Sequence, residues 1–224
     1  MTSLLPTFTH IINPKLKYIY LSFDYSGNLT IKSPKVSQRE IEKVLIKKSA
    51  WITKSRQRLL EKKGKPLQFR EGEKLFFLGE DYPVYYEKSN KKRTSLHFDE
   101  QEGFTFTYYT FDPEKFDHLI NQFYKQEAQR IIPEMAEQYA RSMQLFPSRI
   151  SFRKARSRWG SCSSTNALSF NYLMMKLPLS VIQYIVVHEL SHIKHKHHQK
   201  EFWNLVEIHL PDYKVQQNEL KRYM

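Results

Sequence analysis

Apolar and polar positions alternate with two different periods along this chain, and together they predict an α+β protein. Tyr18-Ile19-Tyr20-Leu21-Ser22-Phe23 and Leu29-Thr30-Ile31-Lys32 are β-prone runs on either side of Ser26-Gly27-Asn28, which reads as a hairpin. Ser37-Gln38-Arg39-Glu40 has the form of a capping box and opens a helix. Ile41, Val44, Leu45, Trp51, Ile52 and Leu59 give that helix one apolar stripe to about Lys62, and Gly64-Lys65-Pro66 stops it. Four short strands follow, at 75–78, 82–86, 95–98 and 104–109, rich in Phe, Tyr, Val and Thr. Asp112-Pro113 starts a long helix, with Asp as cap and Pro at the first position. It runs towards Leu145, with a kink expected at Pro133. Runs at 150–155 and 167–172 read as strands joined by a loop at Trp159-Gly160-Ser161-Cys162. The apolar run Val181-Ile182-Gln183-Tyr184-Ile185-Val186-Val187 predicts a buried helix, with Ser180 as its N-cap and Gln183 completing a capping box. The expected division is a strand-rich region with one helix at residues 1–111 and a helix-led domain at residues 112–224.

That last helix carries the chemistry. His188-Glu189-Leu190-Ser191-His192 reads H-E-x-x-H directly after the apolar run. On a helix, residues four apart share a face at about 6 Å along the axis, so His188 and His192 can grip one metal ion. Glu189 then lies near the open coordination side, where it can take a proton from a metal-activated water. A catalytic zinc keeps three protein ligands and one open position, so a third ligand is required. His195, His197, His198, His209, Glu201 and Glu207 are the candidates within reach in sequence. On a continued helix His198 would face away from His192, by about 240°. It reaches the metal only if the helix stops near Lys194 to Lys196 and the chain folds back; no glycine is present there to ease such a turn.

Charge and cysteine content add less. The chain has 36 Lys and Arg against 23 Asp and Glu, a net of +13, which permits an anionic partner such as a nucleotide or a nucleic acid bound through a basic surface. Arg149, Arg153, Lys154, Arg156 and Arg158 form a basic run without an acid close before the H-E-x-x-H helix. Arg158 is a candidate substrate contact, because guanidinium pairs with phosphate or carboxylate in bidentate fashion. Asn171 is the second candidate substrate contact. The strand beginning at Ala167 is the expected pairing edge for an extended peptide. The single cysteine, Cys162, rules out an internal disulfide and fits a reducing, cytoplasmic setting; it reads as a packed residue, since no acid–base partner is evident beside it. No apolar stretch approaches the roughly 20 residues of a membrane span, and the N-terminus lacks the pattern of a secretory signal.

The motifs also resemble a known family. Ser157-Arg158-Trp159-Gly160-Ser161-Cys162, then Val187-His188-Glu189-Leu190-Ser191-His192, then His198 with Phe202-Trp203 are similar to the blocks of the YgjP-like metallopeptidase family. Weaker likenesses lie at Trp51-Ile52, Gly72-Glu73 and Leu78-Gly79-Glu80. The resemblance implies a small zincin-like domain at 112–224, akin to SprT-like and WLM proteases, with the H-E-x-x-H helix beside a sheet. It implies His198 as the third metal ligand and Zn²⁺ as the cofactor. It also implies two activities, a zinc peptidase acting on a peptide or protein and a UTP pyrophosphatase acting on a nucleotide. The expected function is therefore a zinc metallohydrolase, foremost a peptidase with Glu189 as general base. Hydrolysis of a nucleoside triphosphate is the alternative, and a non-catalytic binding module with a structural metal is a further one. Metzincins are disfavoured: His195 stands where they need Gly, and the only later methionine is Met224.

Overall fold

The computed structural model describes residues 6–23, 27–61, 67–155 and 157–223, with backbone alone at 58–61. Ser26, Lys62, Gly64-Lys65-Pro66, Arg156, Met224 and the side chain of Leu59 lie outside the described residues. The chain divides into two compact units, Met1–Pro66 and Leu67–Met224. The division expected near 110–113 falls inside the second unit. The reason is aromatic packing: Phe116, just past that point, lies 4.6 Å ring to ring from Phe106 on a preceding strand.

The first unit is a three-stranded sheet with two helices. Its strands are β1 (Phe8–Ile12), β2 (Tyr20–Phe23) and β3 (Leu29–Ser33), ordered β1-β3-β2. The expected hairpin is the antiparallel β2–β3 pair; β1, not foreseen, runs parallel to β3. The single expected helix is two helices, α1 (Gln38–Lys47) and α2 (Ser49–Glu61). Lys48 between them sits at φ −103, ψ 9, outside the helical region. The capping box at Ser37 and Glu40 is present in both directions. Leu29, Ile31, Ile41, Leu45 and Ile52 form this unit's buried core.

The second unit holds a four-stranded sheet of β4 (Lys74–Phe77), β5 (Glu80–Lys88), β6 (Ser95–Asp99) and β7 (Gly103–Tyr108), ordered β4-β5-β7-β6. The long helix α3 (Pro113–Met143) contains Pro133 and is capped by Asp112, whose carboxylate accepts from the N–H groups of Glu114 and Lys115. Phe116, Ile120, Tyr124, Ala128, Ile132, Ala136 and Ala140 are its buried stripe, spaced by four. Each step of four residues advances about 400°, so the buried line winds slowly round the helix and stays in the core as neighbouring elements change along it.

A second sheet is built from β8 (Arg149–Arg153), β9 (Gly160–Cys162) and β10 (Ala167–Asn171), ordered β8-β10-β9. The segment read as a loop at 159–162 is therefore a short edge strand. The strand from Ala167, expected at the edge, is the central one, because β8 pairs parallel on one side and β9 antiparallel on the other. Helix α4 (Leu179–Lys194) packs beside β9. It starts at Pro178 without a side-chain cap, so the box expected at Ser180 does not form. Val181, Ile182, Ile185, Val186, Val187 and Leu190 are all buried, as the continuous apolar run demands. Helices α5 (Lys200–His209) and α6 (Tyr213–Leu220) complete the unit. No helix among the described residues is long and apolar enough to cross a membrane.

Candidate metal centre

Three imidazoles converge at the end of α4. His188 and His192 come from the same face of that helix, one turn apart. The helix ends at Lys194, and His195 takes an extended backbone at φ −120, ψ 103. Ordinary L-residue geometry turns the chain here, and no glycine is needed. The turn carries His198 back over the helix before α5 begins at Lys200. One ligand nitrogen from each of His188, His192 and His198 lies within 4.8 Å of the others. It is the one cluster of three or more His, Cys, Asp or Glu of this kind among the described residues.

The donor set suits a first-row divalent cation. Nε2 of His198 lies 3.1 Å from Nε2 of His188. Two nitrogens on a tetrahedral ion at about 2.0–2.1 Å each stand roughly 3.4 Å apart, so only a small opening separates this arrangement from a ligated one. His192 Nδ1 is 2.9 Å from the carbonyl oxygen of His195. A carbonyl can only accept, so Nδ1 carries the proton and Nε2 presents a lone pair. His188 is held neutral: burial, with His192 and His198 adding to it, pushes its pKa down to about 3. Burial likewise lowers His192, against the raising effect of its bond to His195. His188 Nδ1 is buried without a hydrogen-bond partner among the described residues. A ring in that setting resists a second proton and remains a Lewis base.

The aromatic pair after His198 explains its place. Phe202 is fully buried on α5, with its ring 4.9, 4.6 and 4.7 Å from the rings of His188, His192 and His198. It is the apolar floor under all three imidazoles. Trp203 stacks on His198 at 5.6 Å and 26°, and on Tyr213 of α6 at 5.4 Å and 16°. The motif spacing thus puts one ring under the site and one beside its most exposed ligand.

Glu189 faces β9. A Cβ placed on Gly160 would lie 2.5 Å from both Cγ and Oε1 of Glu189. Glycine at 160 therefore clears the room the carboxylate occupies. Glu189 is 6% exposed, and burial raises its pKa to about 7, opposed by the nearby Arg158 cation. Arg158 itself is exposed. Asn171 is 5% exposed, and its amide is committed to backbone. Its Nδ2 donates to the carbonyls of Ala155 at 2.9 Å and Arg158 at 3.3 Å, and its Oδ1 accepts from Leu173 N–H at 3.2 Å. Asn171 thus braces the segment carrying Arg158 instead of facing outward, because its amide is taken up by these three backbone bonds.

Two contributors went unread in the sequence. Gly160 was seen only as part of a motif. Lys196, inside the His-rich turn, reaches back to the β9–β10 connection. Its Nζ donates to Asn166 Oδ1 at 2.8 Å and Ser163 O at 3.1 Å, and lies 3.7 Å from Cys162 Sγ. Cys162 packs half-buried against the core, and that burial raises its thiol pKa against the lowering effect of Lys196. His195, His197, His209, Glu201 and Glu207 are outside the cluster.

The model of the YgjP-like, metallopeptidase domain family matches residues 17–223. The chain belongs to that family. The match runs through both compact units, so the YgjP-like pattern is not confined to the H-E-x-x-H region. Family membership makes this chain a metallopeptidase at that level, with a metal ion and a peptide substrate. A comparison with curated proteins gives no match. Among solved structures, the metallopeptidase zymogen of Pyrococcus abyssi abylysin is similar at 19% identity and a TM-score of 0.38, over 40% of this chain and 91% of that one.

Proposed function

We propose that this protein is a zinc-dependent peptidase in which His188, His192 and His198 hold the ion and Glu189 moves the proton. One observation carries the reading: three imidazoles meet within 4.8 Å beside a buried carboxylate. When bound, zinc supplies Lewis acidity, which makes a water acidic near neutral pH and draws charge from a carbonyl oxygen. Glu189 takes the proton of the attacking water on its carboxylate and delivers it to the leaving amine. Its burial against Gly160 favours that exchange, since a desolvated carboxylate holds a proton more readily than one in water.

Strand β9 offers a place for the substrate backbone. Trp159 O accepts from Asn171 N and Ser163 N donates to Ala167 O, so 159, 161 and 163 bond to β10. By antiparallel alternation, Gly160 and Cys162 turn their N–H and C=O groups to the outer edge. An extended peptide added there would run past Glu189. Arg158, exposed two residues before β9, would pair with a carboxylate on such a peptide.

The nucleotide reading has less support. Phosphoanhydride hydrolysis calls for a hard, oxygen-ligated ion, and the ligand cluster among the described residues is all imidazole. A closed structural site is the other competitor. One panel separates the three: metal content of the purified protein, then casein and nucleoside triphosphates with and without added zinc. Casein cleavage that requires zinc is expected. Glu189→Gln should keep the metal and lose turnover by about 10³-fold, within the usual span for a general base. Full activity of Glu189→Gln, or triphosphate cleavage alone, overturns the proposal.

A further inference from the structure

The positive charge is distributed unevenly between the two units. Residues 1–66 carry 14 Lys and Arg against 4 Asp and Glu, a net of +10; residues 67–224 carry 22 against 19, a net of +3. The imidazole cluster lies in the nearly balanced unit.

The first unit also has a sheet with two unlike faces. Phe8, His10, Leu21, Phe23, Leu29 and Ile31 alternate onto one face, where Leu29 and Ile31 share a core with Ile41, Leu45 and Ile52 of the helices. The register places the remaining residues in two rows on the opposite face. One row is Ile11, Lys32 and Tyr20; the next is Thr9, Thr30 and Ser22. Tyr20 is 50% exposed and Ile11 44%, and Lys32 is exposed between them. Lys15, Lys17 and Tyr18, also exposed, lie in the segment that leads into β2.

We propose that this open face of the N-terminal sheet, with Tyr20 and Lys32 side by side on paired strands in a unit of net charge +10, binds single-stranded nucleic acid. An exposed ring on a flat sheet offers a stacking platform to a base, which a duplex hides inside its own stack. Lysine beside it meets the phosphate, and the hydroxyls of Thr9, Thr30 and Ser22 suit the sugar edge. The lysines of α1 and α2 add to the long-range field that draws a polyanion in. A lipid surface would want a contiguous apolar wedge, and here a lysine and three hydroxyl residues interrupt the apolar positions. The proposal stands independently of the peptidase reading.

The test uses the full chain and labelled 12-nucleotide oligothymidylate and oligouridylate, followed by fluorescence anisotropy at about 50 mM salt. A duplex of the same length and anionic phosphatidylglycerol vesicles serve as the other arms. Either single strand should bind tighter than the duplex, with affinity falling steeply as salt rises. Tyr20→Ala should weaken binding by about tenfold, and Tyr20→Trp should restore it, which a structural role would not predict. Lys32→Ala should flatten the slope of log affinity against log salt by about 0.7, the share of one phosphate contact. Both positions are exposed, and circular dichroism checks the fold. Preference for duplex, vesicle binding without oligonucleotide binding, no binding at low salt, or full binding by both Tyr20→Ala and Lys32→Ala would each overturn it.

Discussion

The helix that supplies two of the three imidazoles and the turn that supplies the third are built on opposite principles. Helix α4 is buried and regular, and its period alone puts His188 and His192 on one face. The turn at 195–199 is mostly exposed, has no glycine and adopts its path through contacts made by others. Lys196 ties it to the β9–β10 connection, His195 O accepts a hydrogen bond from His192 Nδ1, and Phe202 and Trp203 hold the His198 ring from α5. A half-site from a helix is thus local, and the other half is assembled from the two flanking helices and from the β9–β10 connection, whose Asn166 lies 30 residues before Lys196.

The largest effect should come from breaking each half in turn. His192→Ala should lose both metal and turnover, because it removes a ligand and the bond that orders the turn. His198→Ala should also lose turnover, yet retain weak metal binding through the helix pair. Metal titration of the two variants by calorimetry tells them apart; equal residual affinity would mean the halves are not distinct. Next is Gly160→Ala, which touches neither half. Its methyl group would displace the Glu189 carboxylate, and a shift near 1 Å should cost roughly 10²-fold in kcat with metal affinity kept. Steady-state kinetics beside metal analysis reads this directly. Smallest is Lys196→Met, which loosens only the turn. Metal affinity should fall by roughly tenfold, the scale of outer contacts that orient a ligand. A Co²⁺-substituted protein should show altered absorption in this variant and recover with Lys196→Arg. An unchanged spectrum and affinity would leave Lys196 as a surface contact only.

Much of the fold was legible for the same reason as the helix pair. The start of α3 follows from Asp112-Pro113, and the strands of the four-stranded sheet and the apolar run of α4 follow from patterns that local sequence carries. The errors sit where a neighbour decides. Gly160-Ser161-Cys162 is too short to announce a strand, and pairing with Leu168 to Phe170 makes it one. That pairing moves the strand from Ala167 to the centre, and the backbone carbonyls of Ala155 and Arg158 make Asn171 a brace where a substrate contact was expected. Ser180 failed as a cap because the helix had already begun at Pro178 and Leu179. Strand β1 went unseen, since its alternation is weak and its parallel partner lies more than twenty residues on.

By itself the sequence determined a pair of imidazoles on one helix face with a carboxylate beside them, because residues four apart on a helix have no freedom to be elsewhere. Only the tertiary structure decided that His198, and not another of the nearby histidines, closes the set. It also decided that Gly160 makes the room for Glu189. Those outcomes depend on where the chain turns back and on which strand lies against α4, and such choices are made by contacts between distant residues that no local period records.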